Sequence, residues 1–129
     1  MDCFVKVSSD GKTVISKAEG KLDNADYSFM RNKIVDSVKR CHAKHILLDL
    51  RQAIVAASVT EIYQAAASSI QMFPPGFKYA IVYSEKTMPE ENAIFGETVA
   101  RNRGGLVKIF KNISEAKRWL AIPEIEYEQ

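Results

Sequence analysis

Ser58-Val59-Thr60-Glu61 is the stretch of this chain whose residue types and spacing best fit a chemical role. A serine followed three residues later by glutamate is the capping-box pattern that opens a helix. A phosphate on that serine would meet free N–H groups and the positive end of the helix dipole. Ser58 therefore reads as an N-cap, worth about 0.5–2 kcal/mol against alanine, and as a candidate phospho-acceptor, with Thr60 a weaker candidate of the same kind. Asp49 lies inside the apolar run Ile46-Leu47-Leu48-Asp49-Leu50. It falls near the carboxyl end of a strand, where ligands gather in open α/β sheets.

The other reactive side chains form no constellation. His42 and His45 flank Lys44, and further convergent ligands with a metal spacing are missing. Arg40, His42 and Lys44 instead suit the negative end of a helix. Cys3 and Cys41 have neither a CxxC partner nor metal spacing, which fits free thiols in a reducing cytoplasm. No nucleophile–base pair, paired carboxylates or phosphate-cradling glycine loop is present, so neither an enzyme nor a cofactor is expected. Gly104-Gly105 precedes a strand and reads as a helix stop.

With 129 residues, 47% hydrophobic and 26% charged, the chain is one soluble domain with a real core. A net charge of +2 is too small to point to nucleic acid. The C-terminal cations, Arg101 to Arg118, are spread over several elements and read as a solvated face open to an acidic partner. The N-terminus lacks the basic and apolar regions of a signal peptide. The longest apolar run, Ala53 to Ala57, is far too short to span a membrane. A cytoplasmic protein is expected.

The elements that must position Ser58 and Asp49 follow from periodicity. Cys3–Val7 and Thr13–Ala18 are β-rich runs around Asp10-Gly11, a hairpin signal. Tyr27, Met30, Ile34 and Val38 recur at helical spacing behind a cap at Asp23 or Asn24. His45–Leu50 and Tyr79–Val82 with Tyr83 are strands apolar enough to be buried on both faces, and Leu106–Phe110 is the last strand. Between them lie helices from Ser58 to about Ile70, stopped by Phe73-Pro74-Pro75-Gly76, and from Thr87 to Gly104, with Pro89 at the first helical position. A short helix over Ser114–Leu120 docks through Trp119, and residues 123–129 form an acidic, loose tail beyond a domain of residues 1–122. Met72, Phe73 and Phe77 form an apolar loop placed to gate a pocket.

The order ββαβαβαβα predicts a mostly parallel sheet with right-handed crossovers. If successive strands are neighbours, the crossover helices share one side. The other face then needs a cover: the N-terminal segment, a second copy or an apolar ligand.

Leu48-Asp49-Leu50, an eight-residue interval and Val59 resemble the signature of the bacterial anti-sigma-factor antagonist fold, called STAS or SpoIIAA-like. The run Arg101-Asn102-Arg103-Gly104, Val107-Lys108-Ile109-Phe110 and Glu115-Ala116-x-x-Trp119-Leu120 is similar to a less characterised STAS-like or SEC14-like branch. The resemblance covers residues from about 12 to 120. It implies an α/β SpoIIAA-like fold with an N-terminal hairpin and helices mainly on one face. It also implies a non-enzymatic regulatory or protein-interaction module, expected here as a homodimer. In the regulatory members a kinase phosphorylates a serine at the matching position, which here is Ser58. That position follows Ala57, where the family has aspartate, and precedes Val59, where a small residue is usual. Asp49, Arg51, Gln52, Thr60 and Glu61 are then the expected interaction loop. The SEC14-like comparison implies instead a carrier or sensor of an apolar small molecule or lipid. Asp49, Ser84 and Lys111 also fall in the order seen in response-regulator receivers. Those need an early acidic pair to hold magnesium, absent here, so Asp49 reads as an acceptor for loop amides.

Overall fold

The computed structural model describes residues 2–69, 72–73 and 76–121, with side chains left aside at 2, 59, 62, 66, 68 and 69. The loose tail, the end of the second helix at 70 and the proline pair at 74–75 lie outside these residues. The elements are β1 (Asp2–Val7), β2 (Thr13–Leu22), α1 (Asn24–Cys41), β3 (His45–Val55), α2 (Val59–Ser69), β4 (Lys78–Val82), α3 (Glu90–Asn102), β5 (Leu106–Phe110) and α4 (Ile113–Leu120).

The five strands are ordered β1-β2-β3-β4-β5, with β1 antiparallel to β2 and every later pair parallel. The hairpin turns at Gly11, whose φ of +73° is a conformation that glycine reaches without a Cβ clash. Asp10 braces it by accepting from Ser8 Oγ at 2.6 Å and Lys12 N at 3.0 Å. Asp23 is the residue that caps α1: its carboxylate accepts from Asp26 N at 2.8 Å while Asp26 reaches back to Asp23 N at 3.1 Å. α3 starts at Glu90 with Pro89 as its N-cap and no side-chain cap, so Thr87 lies outside the helix.

Sequential strand order puts the crossover helices on one side, and α1, α2 and α3 share it. Met30, Ile34 and Val38 of α1 and Ala100 of α3 pack there on Val14, Ile46, Leu48 and Leu50. The opposite face has a cover that the sequence reading missed. The chain's own α4 lies across it, burying Ala116 and Leu120 against Leu47, Ala80 and Val82, with Phe110 and Trp119 beside them. Among the described residues no strand follows α4, so the crossover rule does not constrain its side. Apolar cover on that face therefore comes from within the chain over β3–β5. Lys78 ties the helix down, its Nζ 3.4 Å from the Trp119 carbonyl and 5.3 Å from the ring centroid.

Candidate functional site

β3 runs five residues past the apolar segment that marks it in the sequence. Lys17 pairs with Asp49 and Glu19 with Gln52, so two steps on β2 match three on β3, leaving one extra residue on β3. This bulge shifts the side-chain parity, which is why Leu50 and Ala53, three apart, face the same core. Arg51 and Gln52, expected in an interaction loop with Asp49, are therefore residues of the same strand as Asp49, and Thr60 and Glu61 belong to α2.

The bulge also turns Arg51 back on Asp49. The guanidinium donates from Nε to Oδ1 at 2.9 Å and from Nη2 to Oδ2 at 2.8 Å, and Arg51 N donates to Oδ1 at 3.1 Å. The Asp49 side chain is 1% exposed and that of Arg51 33%. Both carboxylate oxygens are thus engaged, one of them by the expected main-chain amide.

Beyond Val82, β4 no longer accompanies β3, and the turn before α3 takes its place. Thr87 Oγ1 donates to the Leu50 carbonyl, Ser84 Oγ donates to the Arg51 carbonyl at 3.2 Å, and Val55 N donates to the Thr87 carbonyl at 2.8 Å. Lys111 is drawn to Glu90 at 3.1 Å, so Asp49, Ser84 and Lys111 do not form a receiver-like triad.

β3 leads into Ser58, which is exposed at the start of α2. Its Oγ accepts from Glu61 N at 3.2 Å and its N–H donates to Glu61 Oε1 at 3.0 Å, completing the capping box. His45, at the other end of β3, is too far along the strand to serve Ser58 as a base.

Beside this helix start lies a cavity of about 130 Å³ between α1, α2, α3 and the sheet. Leu48, Leu50, Tyr79, Ile81, Val107 and Ile109 form its floor, Ala65, Ala93, Gly96 and Ala100 its helical walls. Ala57 and Glu61 stand at the α2 end, and no lysine, arginine or histidine is among the described lining residues. Burial, and then the neighbouring Tyr27, push the Tyr79 hydroxyl well above its usual range, so it stays protonated in the wall. The apolar lining residues read in sequence as ordinary core, so no local signal marks the cavity. Phe73 stacks on Phe77 at 5.0 Å and meets Tyr79 edge-on at 5.8 Å, which places this pair behind the cavity wall; Met72 is exposed. Among the described residues, no group of three His, Cys, Asp or Glu side chains is placed to hold a metal.

This arrangement has solved counterparts. The anti-sigma factor antagonist SpoIIAA in its unphosphorylated form aligns over 93% of this chain and 98% of its own, with a TM-score of 0.59 and 12% identity. An uncharacterised protein of the DUF3478 family from Shewanella loihica PV-4, with a SpoIIAA-like fold, aligns over 92% of each chain with a TM-score of 0.57 and 19% identity. The chain has a SpoIIAA-like fold. No protein-family model matches the sequence, and no curated protein does. The exposed capping serine and the apolar cavity lie side by side at the start of α2. Among the described residues no helix is long and apolar enough to cross a membrane.

Proposed function

We propose that this chain is a non-enzymatic regulatory module of the STAS type that binds a protein partner through the start of α2. The observation that carries the reading is Glu61, which both closes the capping box on Ser58 and lines the cavity mouth. A phosphate on Ser58 would set a charge of about −2 beside that carboxylate. Repulsion would displace Glu61, loosening the first turn of α2 and reshaping the mouth together. The surface comprises the exposed Gln52, Ser58 and Thr60, while Asp49 and Arg51 brace the strand below.

The test is intact-mass analysis of protein from its native cells, with binding of the captured partner to wild type and Ser58→Glu. A phosphate on Ser58 and weakened binding of the variant support the switch. Unmodified protein with unchanged binding rejects it.

The cavity favours a second reading, a carrier or sensor of an apolar small molecule. The ligand would lie under α2 and α3, on the face opposite α4. With Asp23, Glu61 and Glu97 at its rim and no described cation, the site suits an uncharged molecule better than a fatty acid. Titration calorimetry with decanol and decanoate tests it: decanol binding that Ala93→Leu abolishes supports the carrier, and heats at baseline for both reject it.

A further inference from the structure

α4 is held unequally at its two ends. Asn112 caps its start, accepting from Ser114 N at 2.8 Å and Glu115 N at 3.2 Å. The other end closes on Ala121, whose φ of +58° is a left-handed conformation that a Cβ disfavours. From the sheet, Lys78 holds that end through the Trp119 carbonyl and ring. Of the helical residues, Ala116, Lys117 and Leu120 are buried, with Ile113 and Trp119 partly so. Little apolar contact therefore opposes a local opening of this helix.

His45 stands on the sheet face that α4 covers. Leu47, two residues on, packs under Ala116 and Leu120, and the period of two sets His45 on the same side. Across the ladder its neighbours are the neutral Thr13 on β2 and Lys78 on β4. Adjacent strands lie about 4.8 Å apart, so Lys78 leaves the sheet directly beside it. His45 Nδ1 is buried without a hydrogen-bond partner. The charges acting on the ring are Lys78, Lys44 next to it in the chain and Asp10 from the β1–β2 turn. α4 brings Lys117 on its buried side, while its Glu115 and Arg118 are exposed. Among these groups the cations outnumber the carboxylate that faces the ring.

We propose that His45 and Lys78 form an acid-sensitive catch on α4: protonation of His45 frees the C-terminal turn of that helix from the sheet while the other elements stay folded. With α4 docked, Lys78 is committed to Trp119 and stays beside His45. A proton on the imidazole then sets a second cation next to it under the cover of the helix. Detaching the turn admits water to the ring and lets Lys78 swing away. The open form therefore takes up the proton more readily than the closed one, and by linkage proton uptake favours opening. Burial first, then Lys78, hold the docked imidazole below 6.5, against weaker pulls from the Lys44 main chain and Asp10. Above 6.5 opening is independent of pH; below it opening rises until the docked ring is protonated as well. What opening uncovers is the apolar face of Ile15, Leu47, Ala80 and Val82.

Hydrogen exchange of the full chain, corrected for the pH dependence of free amides, tests this. Between pH 7.5 and 5.5 the opening of the Lys117, Trp119 and Leu120 amides should rise several-fold, up to about tenfold. The Ile34 and Val38 amides of α1, on the opposite face, should hold. His45→Gln should abolish the rise. Lys78→Met should raise opening at pH 7.5 and make its pH dependence shallower. Trp119 is the chain's one tryptophan, so acrylamide quenching reports the same event without exchange. Quenching should increase on acidification with the far-UV circular dichroism retained, and reverse at pH 7.5. Amides of α4 that ignore pH, or that rise in step with those of α1, overturn the proposal, as does a rise that survives His45→Gln. If His45→Gln does not fold, wild type and Lys78→Met decide by quenching, and equal pH slopes in the two overturn the catch.

Discussion

Arg51 grips Asp49 from two residues further along the same strand, with Nε 2.9 Å from Oδ1 and Nη2 2.8 Å from Oδ2. In a regular strand, residues two apart point the same way about 7 Å apart, and the extra residue in β3 is what folds the guanidinium back. The pair fixes the bulge from the side-chain side, while Ser84 and Thr87 fix it from the main-chain side.

Removing one partner should therefore cost far more than removing both. Arg51→Met removes the guanidinium that answers the buried Asp49 charge and leaves the main-chain N–H of residue 51 on its carboxylate. For a fully buried pair that costs about 3–5 kcal/mol. Because a third of Arg51 is exposed, about 2–3 kcal/mol is expected. The double variant Asp49→Leu with Arg51→Met should lie within about 1 kcal/mol of wild type. Urea unfolding of wild type, Asp49→Leu, Arg51→Met and the double variant closes the cycle, and an additive outcome would show that the pair does not act as a unit.

Ser58→Ala should destabilise by about 1 kcal/mol, since it removes the acceptor for Glu61 N at an exposed helix start. Ser58→Asp keeps an acceptor there and should stay within about 0.3 kcal/mol of wild type, as good N-cap residues differ little. Equal losses in the two variants would show that the cap contributes nothing.

What the sequence yields here depends on whether the signal is local. Ser58 is legible because Ser-x-x-Glu is a short pattern with one geometric meaning, and the structure holds both of its hydrogen bonds. The start of β3 is legible from Ile46 to Leu50. Its continuation is not, because Arg51 and Gln52 break the apolar run and the bulge breaks the period of two. The amphipathic face of α4 says that Ala116 and Leu120 dock, but not on which side of the sheet, since no later strand among the described residues fixes the hand. The cavity is a gap among three helices and four strands, and no window of sequence contains a gap.

Thr87 reads in sequence as a helix start, yet it is 1% exposed and serves the bulge. Its hydroxyl donates to the Leu50 carbonyl and accepts from Ser84 N at 3.1 Å. Thr87→Val keeps the shape and leaves both groups buried without that partner, at about 1–3 kcal/mol for a buried group so left. Thr87→Ser keeps the hydroxyl and should lose only about 0.8 kcal/mol, the worth of a methyl. Guanidinium unfolding should rank wild type, then serine, then valine. Equal stability of the valine and serine variants would mean that the hydroxyl is not needed.

His45 gives the chain a stability that falls as the medium is acidified. Burial, followed by the nearby Lys78 and Lys44 charges, holds its imidazole below the ordinary value of 6.5, against weaker opposite pulls from the Lys44 main chain and from Asp10. Its Nδ1 is buried without a hydrogen-bond partner. Above pH 6.5 the ring is neutral in both folded and unfolded chains, and the full stability is present. As the pH drops below 6.5 the unfolded chain takes up the proton first, and stability declines until the folded imidazole is protonated as well. Asp10 and Asp23, held low by the Ser8 hydroxyl and the Asp26 amide, act only below the carboxylate value of 3.8, so they leave this window clear. Urea midpoints measured from pH 7.5 to 5.0 should fall in wild type and flatten in His45→Gln, over the range about a unit or so either side of an imidazole pKa. An identical slope in the two proteins would assign the pH dependence to another group.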